Sequence, residues 1–174
     1  MLLSVLLLLI MAIFNSMYND FLSKKPVIVC VGTTSVVGDS LGPKVGDLLV
    51  YRYDVDAFVY GKSSLPVNGV NYDKYISHIR KHHTDSVIIA IDACLGAKDE
   101  IGSIKYTFGG LRAGAALNKN LDKIGHLTIL GIVAERCANN LEALMKAERT
   151  LVEEMSEAIA KKVISLTAAL ASVR

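Results

Sequence analysis

Asp39 and Asp92 are separated by 53 positions, and each lies just beyond an apolar run. The first run, Val27 to Val31, leads into the polar loop GTTSVVGDS that carries Asp39; the second, Val87 to Ile91, is followed at once by Asp92. If both runs are parallel, central strands, the two acids meet at the carboxyl edge of one open sheet, where such sheets hold ligands. Two close carboxylates cannot both ionise cheaply, so one pKa rises and the pair keeps a single proton. One member can then activate water while the other protonates a leaving group, the acid/base chemistry of hydrolysis. The plainer reading of Asp39 is an N-cap, since Pro43 suits the first turn of the following helix. For Asp92 the plainer reading is a structural acid at a strand end. That reading is weaker, because a carboxylate directly after five apolar residues is poorly solvated without a partner.

Three rival chemistries compete with this pair. The stretch GTTSVVGDSLG suggests a phosphate loop, but it has neither GxxxxGK[ST] with its lysine nor GxGxxG spacing. Cys94 stands two residues past Asp92 as a candidate nucleophile, yet no spacing pairs it with His126, His82 or His83 as a base. A metal held by Asp39 and Asp92 needs a third ligand, and there is no HxxxH or HExxH spacing to supply one. His126 precedes a strand and reads as structural; His82 and His83, beside Lys81, read as solvated surface.

The elements that must position the acids follow from periodicity. Val27 to Val31 and Val87 to Ile91 are β-branched, fully apolar runs of the kind buried on both faces of a parallel sheet. Val45, Leu48 and Leu49 recur at helical spacing after Pro43, Val55 to Tyr60 alternates as a strand, and Asn71 to His82 buries Tyr72, Tyr75, Ile76 and Ile79 on one helix face. Strand and helix alternating at this interval predict right-handed βαβ units around a mostly parallel sheet. Ile101 to Phe108 is an expected edge strand. It runs into Gly109 to Asn120, a long Gly/Asn-rich loop of the sort that tends to carry function. Leu127 to Val133 is the last strand. Ala138 to Val173 is helical throughout, as one helix or two, with Leu141, Leu144, Met145, Ala147, Leu151, Met155, Ile159, Val163 and Leu166 as its buried stripe.

A chain of 174 residues that is 52% hydrophobic fills one domain with a sizeable core. We expect that domain over residues 26–174, preceded by an apolar segment over 1–25. The net charge of +2, with 19 basic residues scattered against 17 acidic ones, leaves no footprint for nucleic acid. Three cysteines, Cys30, Cys94 and Cys137, lack CxxC spacing, so reduced thiols are expected rather than disulfides or a zinc site.

Leu2 to Phe14 is apolar except for Ser4, but thirteen helical residues rise only about 20 Å against a hydrocarbon core of roughly 30 Å. No basic n-region or small-residue cleavage site supports export. The segment reads as a short membrane anchor, with Lys24 and Lys25 holding the domain on the cytoplasmic side, or as a helix packed on the domain or an over-extended start.

Taken together, GTTSVVGDSLGP, YGKSSLPVNGVN, IAIDACLG and GGLRAGAALNKNLDKIGHLTILGIV resemble the YyaC spore-protease family of spore-forming Firmicutes. More distantly the pattern is similar to the germination protease that degrades small acid-soluble spore proteins, and to the hydrogenase maturation endopeptidases. The resemblance implies a three-layer α/β/α, phosphorylase/hydrolase-like fold and a peptidase whose catalytic pair is Asp39 and Asp92. Gly32, Thr33, Gly38, Ser40 and Cys94 are the expected lining of the site, and Gly114, Asn118 and Asn120 match the block that borders the same cleft. In the maturation endopeptidases the equivalent acids, with a histidine, bind nickel; here no cofactor is expected, a divalent metal being the alternative. The implied partner is a protein or peptide substrate. The implied location is the cytoplasm of the sporulating cell or forespore, with membrane contact through residues 2–14 as the other arrangement. The competing function is a non-catalytic sporulation protein that uses the cleft to bind a metal or a protein segment.

Overall fold

Every residue of the first strand, β1 (Val27–Cys30), is fully buried, as a β-branched run requires when both faces of the sheet are covered. The computed structural model of the chain describes residues 24–111 and 123–172. Four further strands, β2 (Phe58–Tyr60), β3 (Ile88–Gly96), β4 (Ile104–Phe108) and β5 (Leu127–Glu135), complete a sheet of order β2-β1-β3-β5-β4. β1 is parallel to β2 and to β3, and β3 is parallel to β5. β4 runs antiparallel to β5 at the edge, as expected. The α/β class and the mostly parallel sheet read from the sequence are therefore what the chain adopts.

Helices cover both faces. On one side lie α1 (Leu41–Asp47), which continues as a π-helical turn over Leu48–Arg52, together with α3 (Asn140–Met145) and α4 (Arg149–Ala171). Leu41, Val45, Leu49, Met155, Ile159 and Val163 pack there against Ile28, Cys30, Ile89, Ile91 and Ile129 of the sheet. On the other side α2 (Tyr72–His82) brings Tyr72, Ile76 and Ile79 onto Val27, Val29, Ile88 and Ala90. The chain leaves β1 over the α1 face to reach β2, then returns over the α2 face to β3 on the far side of β1. Right-handed crossovers impose that change of face whenever the direction across the sheet reverses. The boundary between β1 and β3 is thus the topological switch point, outside whose carboxyl ends open α/β sheets hold their ligands.

Two glycines close the end of β1 against the start of α1. A Cβ on Gly42 would lie 2.0 Å from the Val31 carbonyl oxygen, and one on Gly32 would lie 2.0 Å from that of Asp39. Main chain therefore packs directly on main chain at both points, which only glycine permits. Between them the chain makes a single 3-10 turn, Gly38–Ser40, before α1 begins.

Several expected boundaries shift. β3 was expected to stop before Asp92; it runs on to Gly96 because β5 carries the pairing past Asp92↔Leu130 as far as Gly96↔Glu135. The C-terminal helical stretch breaks at Lys146 to Glu148. The break resets the helical phase, so Leu141 and Met145 of the expected stripe are exposed while Val152 and Ala160 are buried. No helix among the described residues is long and apolar enough to cross a membrane. The segment at residues 2–14 lies outside the described residues.

Gly42→Ala tests the contact at the end of β1. In an ordinary helix this change gains roughly 0.5–1 kcal/mol. Here overpacking should reverse the sign and cost about 1–3 kcal/mol or more, read as a lower urea midpoint with an unchanged m value. An unchanged or higher midpoint would contradict the packing described.

Candidate active site

Asp39 sits in the 3-10 turn that follows the carboxyl end of β1. Its side chain caps no helix: neither that turn nor α1 has a side-chain cap hydrogen bond. Its main-chain oxygen instead accepts from the Thr33 N–H at 3.2 Å. The half-buried carboxyl is pushed above its ordinary pKa by burial, partly offset by the nearby Thr33 N–H. The acid is thus held on a turn that glycine contacts lock onto the sheet.

Asp92 lies on β3 toward the same end of the sheet. β1 pairs with β3 only as far as Cys30↔Ile91, and the Val31 N–H closes that ladder on the Ile91 oxygen at 2.8 Å. Asp92 is therefore the first β3 residue beyond the reach of β1. It is 9% exposed, and its Oδ1 accepts from the Ala93 N–H at 2.9 Å. Burial is the largest cause that raises its pKa well above the usual carboxylate range; the negative charge of Asp39 is the second, and the Ala93 bond opposes both. The chain thus brings the two predicted acids into electrostatic contact, with Asp92 the better placed to keep the proton.

The expected lining divides in two. Gly32, Gly38 and Ser40 are buried scaffold. A Cβ on Gly38 would lie 3.0 Å from the Leu144 carbonyl oxygen of α3, and the Ser40 hydroxyl donates to the Val37 oxygen at 2.6 Å. These three shape the turn and present no side chain to a substrate. Thr33 and Cys94 are half-buried beside the acids. Burial first, then the charge of Asp92, push the Cys94 thiol up to about 11 against the pull of Lys105 and Arg136. Such a thiol is ionised in only about one molecule in 10,000 at pH 7, which makes it a poor nucleophile.

Gly114, Asn118 and Asn120 lie outside the described residues. The roots of their loop are described: Leu111 and Ile124 exchange main-chain hydrogen bonds of 2.6 and 3.1 Å and are buried with the α2-side core. Those roots stand at the amino end of β5, whereas Asp92 lies opposite Leu130 further along it.

The sequence reading missed a charged group at the carboxyl ends of β3 and β5. Arg136 donates to the Leu95 oxygen at 3.0 Å; Glu100 accepts from the Ala97 N–H at 2.9 Å and pairs with Lys105 at 2.6 Å. Only the position of Arg136 just past an apolar strand hinted at this.

The histidines lie elsewhere. The His126 Nδ1 accepts from the Ile88 N–H at 2.9 Å at the amino end of β3, the structural role expected of it. His83, expected on the solvated surface, meets the Tyr60 hydroxyl at 2.8 Å, and His78 stacks on His82 at 4.2 Å. Among the described residues no group of three or more His, Cys, Asp and Glu gathers to hold a metal. Among the described residues no histidine joins the two acids, so the acid-and-histidine set of the maturation endopeptidases is not gathered there.

A family profile described as "Protein of unknown function (DUF1256)" matches residues 7–162. The chain belongs to the DUF1256 family. This DUF1256 chain is 37% identical over 158 residues to the uncharacterized protein YyaC of Bacillus subtilis (strain 168), covering 91% of itself and 77% of that protein. The resemblance read from the sequence blocks is therefore confirmed at the level of family. Among solved structures the DUF1256 chain is similar to the [NiFe] hydrogenase maturation protease HycI from Thermococcus kodakarensis KOD1. The TM-score is 0.56 at 15% identity, over 87% of this chain and 98% of that one. It is also similar to an uncharacterized protein from Wolinella succinogenes, with a TM-score of 0.55 at 14% identity over 84% and 99% of the two chains. At these identities the likeness is one of fold.

Asp92→Asn should stabilise this DUF1256 chain at neutral pH. A carboxyl whose folded pKa is raised costs no stability below its unfolded pKa, near 3.9, and costs progressively more as pH rises toward the folded pKa. Asn keeps an Oδ1 acceptor for the Ala93 N–H and removes the charge. The variant should therefore melt higher at pH 7, by about 2–4 °C for each kcal/mol relieved, and the gain should vanish near pH 3.5. A variant less stable at pH 7, or a gain independent of pH, would contradict the burial and repulsion assigned to Asp92.

Proposed function

We propose that the chain is a peptidase in which Asp39 and Asp92 share one proton and divide acid and base roles. The observation that carries this reading is the pair itself: an acid on β3, its pKa raised first by burial and then by its neighbour's charge, at the switch point between β1 and β3. The fold shared with a hydrogenase maturation protease supports it, although fold alone does not assign chemistry.

Asp39, the more exposed acid, is the base. It takes a proton from a water whose oxygen adds to the peptide carbonyl carbon. Asp92 enters protonated and donates a hydrogen bond to the carbonyl oxygen as negative charge develops there. When the C–N bond breaks, the Asp92 proton passes to the leaving amine. The proton taken by Asp39 then returns to the pair, which regenerates the starting state. The Ala93 N–H holds the Asp92 carboxyl through these transfers, and the Thr33 N–H ties down the main chain of Asp39. Following the resemblance to the spore-protease family, the proposed substrate is a protein of the sporulating cell. Every step is carried by the two carboxyls.

Cleavage of a peptide library or of spore proteins, followed by mass spectrometry, tests the reading. Asp39→Asn and Asp92→Asn should each lower kcat about 10²–10⁴-fold, while Cys94→Ala and a chelator should leave cleavage largely intact. Retained cleavage in both Asn variants would remove the mechanism. No cleavage by the natural sequence would leave this end of the sheet as a binding site only.

A further inference from the structure

The edge strand β4 offers an interface that the proposed chemistry does not use. In an antiparallel ladder, residues alternate between pointing their N–H and C=O toward one neighbour and toward the other. Gly109 and Leu111, on the continuation of β4, donate to His126 and Ile124, and the Ser103 oxygen accepts from Ile132. Odd-numbered residues of this strand thus address β5. Ile104, Tyr106 and Phe108 turn their N–H and C=O groups outward, where no strand among the described residues pairs with them.

Natural edges are commonly blunted by proline, bulges or inward-pointing charge. The pairing of Ile104 to Phe108 with β5 has no bulge, and the segment has no proline. Its one charge, Lys105, is already paired with Glu100. The side chains of Ile104, Tyr106 and Phe108 share one face of the sheet, and Tyr106 is 46% and Phe108 95% exposed.

The geometry points to a second copy of this chain as the occupant: β4 pairs antiparallel with β4 of a partner across a two-fold axis at Tyr106. The sequence IKYTF is suited to itself in that register. Ile104 meets the partner's Phe108, Lys105 meets the partner's Thr107, and Tyr106 meets the partner's Tyr106. No like charges face each other, and apolar cross-strand pairs of this kind are favourable. The three outward N–H and three outward C=O groups of each copy are all satisfied, giving six bonds across the axis. A two-fold centred on Lys105 would set two lysines directly opposite each other, one centred on Thr107 would set Ile104 opposite Gly110, which has no side chain to pair with it, and one centred on Ile104 or Phe108 would shorten the overlap. The result is a continuous ten-stranded sheet, an isologous dimer.

The full chain should sediment at twice 18.8 kDa at concentrations up to about 100 μM, the range of a weak protein pair. Directly opposed residues that exchange both hydrogen bonds stand about 5.5 Å apart at Cα, within disulfide reach. Tyr106→Cys in a Cys137→Ser background should therefore form an intermolecular disulfide on mild oxidation. Tyr106→Lys sets like charges face to face on the axis, and should give the mass of one chain with an unchanged far-UV circular dichroism spectrum. A monomeric natural sequence, whatever other segment or foreign strand covers the edge, would overturn the inference. So would a dimer that survives Tyr106→Lys, or a Tyr106→Cys variant that fails to cross-link.

Discussion

The carbonyl oxygen of Val31 leaves no room for a side chain at position 42, and the carbonyl of Asp39 leaves none at position 32. These two approaches weld the loop after β1 to the strand it has just left. The 3-10 turn that carries Asp39 is thereby fixed to the sheet through main chain, and Asp92 is fixed on β3 between β1 and β5. Neither acid can drift away on a flexible loop. Burial first, and then the charge of Asp39, push the Asp92 carboxyl well above the usual carboxylate range.

Such a site costs stability where it stands. Asp92 lies within a strand whose neighbours Ile89, Ala90 and Ile91 are wholly apolar and buried, and one Ala93 N–H is the main-chain donor that holds its carboxyl. The offset comes from the two apolar layers flanking the same strands: Leu41, Met155 and Ile159 on one face, Tyr72, Ile76 and Ile79 on the other. A strained electrostatic feature supported by a well-packed scaffold is the usual balance of a functional site.

The central strands and α2 were legible because burial on both faces, or on one helical face, leaves a periodic trace. Val27 to Val31 reads as a buried strand, and Tyr72, Ile76 and Ile79 fall three and four apart. The placing of Asp39 and Asp92 toward one end of the sheet was legible as well, since alternating strands and helices fix where the chain reverses across the sheet. The extent of β3 past Asp92 was not, because it depends on pairing with β5, about forty residues further on. The break after Met145 was hidden too: Lys146 to Glu148 carries neither glycine nor proline, so nothing local marks the change of helix. The packing duties of Gly38 and Ser40 were concealed for the opposite reason. Small residues beside an acid look like a lining until α3 is seen resting on Gly38 and the Ser40 hydroxyl is seen turned onto the Val37 oxygen.

The most direct measurement is the carboxyl ¹³C chemical shift of Asp92 followed by NMR from pH 3 to 9, in the natural sequence and in Asp39→Asn. The account predicts that Asp92 stays protonated well above the ordinary carboxylate range, and that its titration moves down when the charge at position 39 is removed. An Asp92 that ionises near pH 4 in both proteins would contradict it.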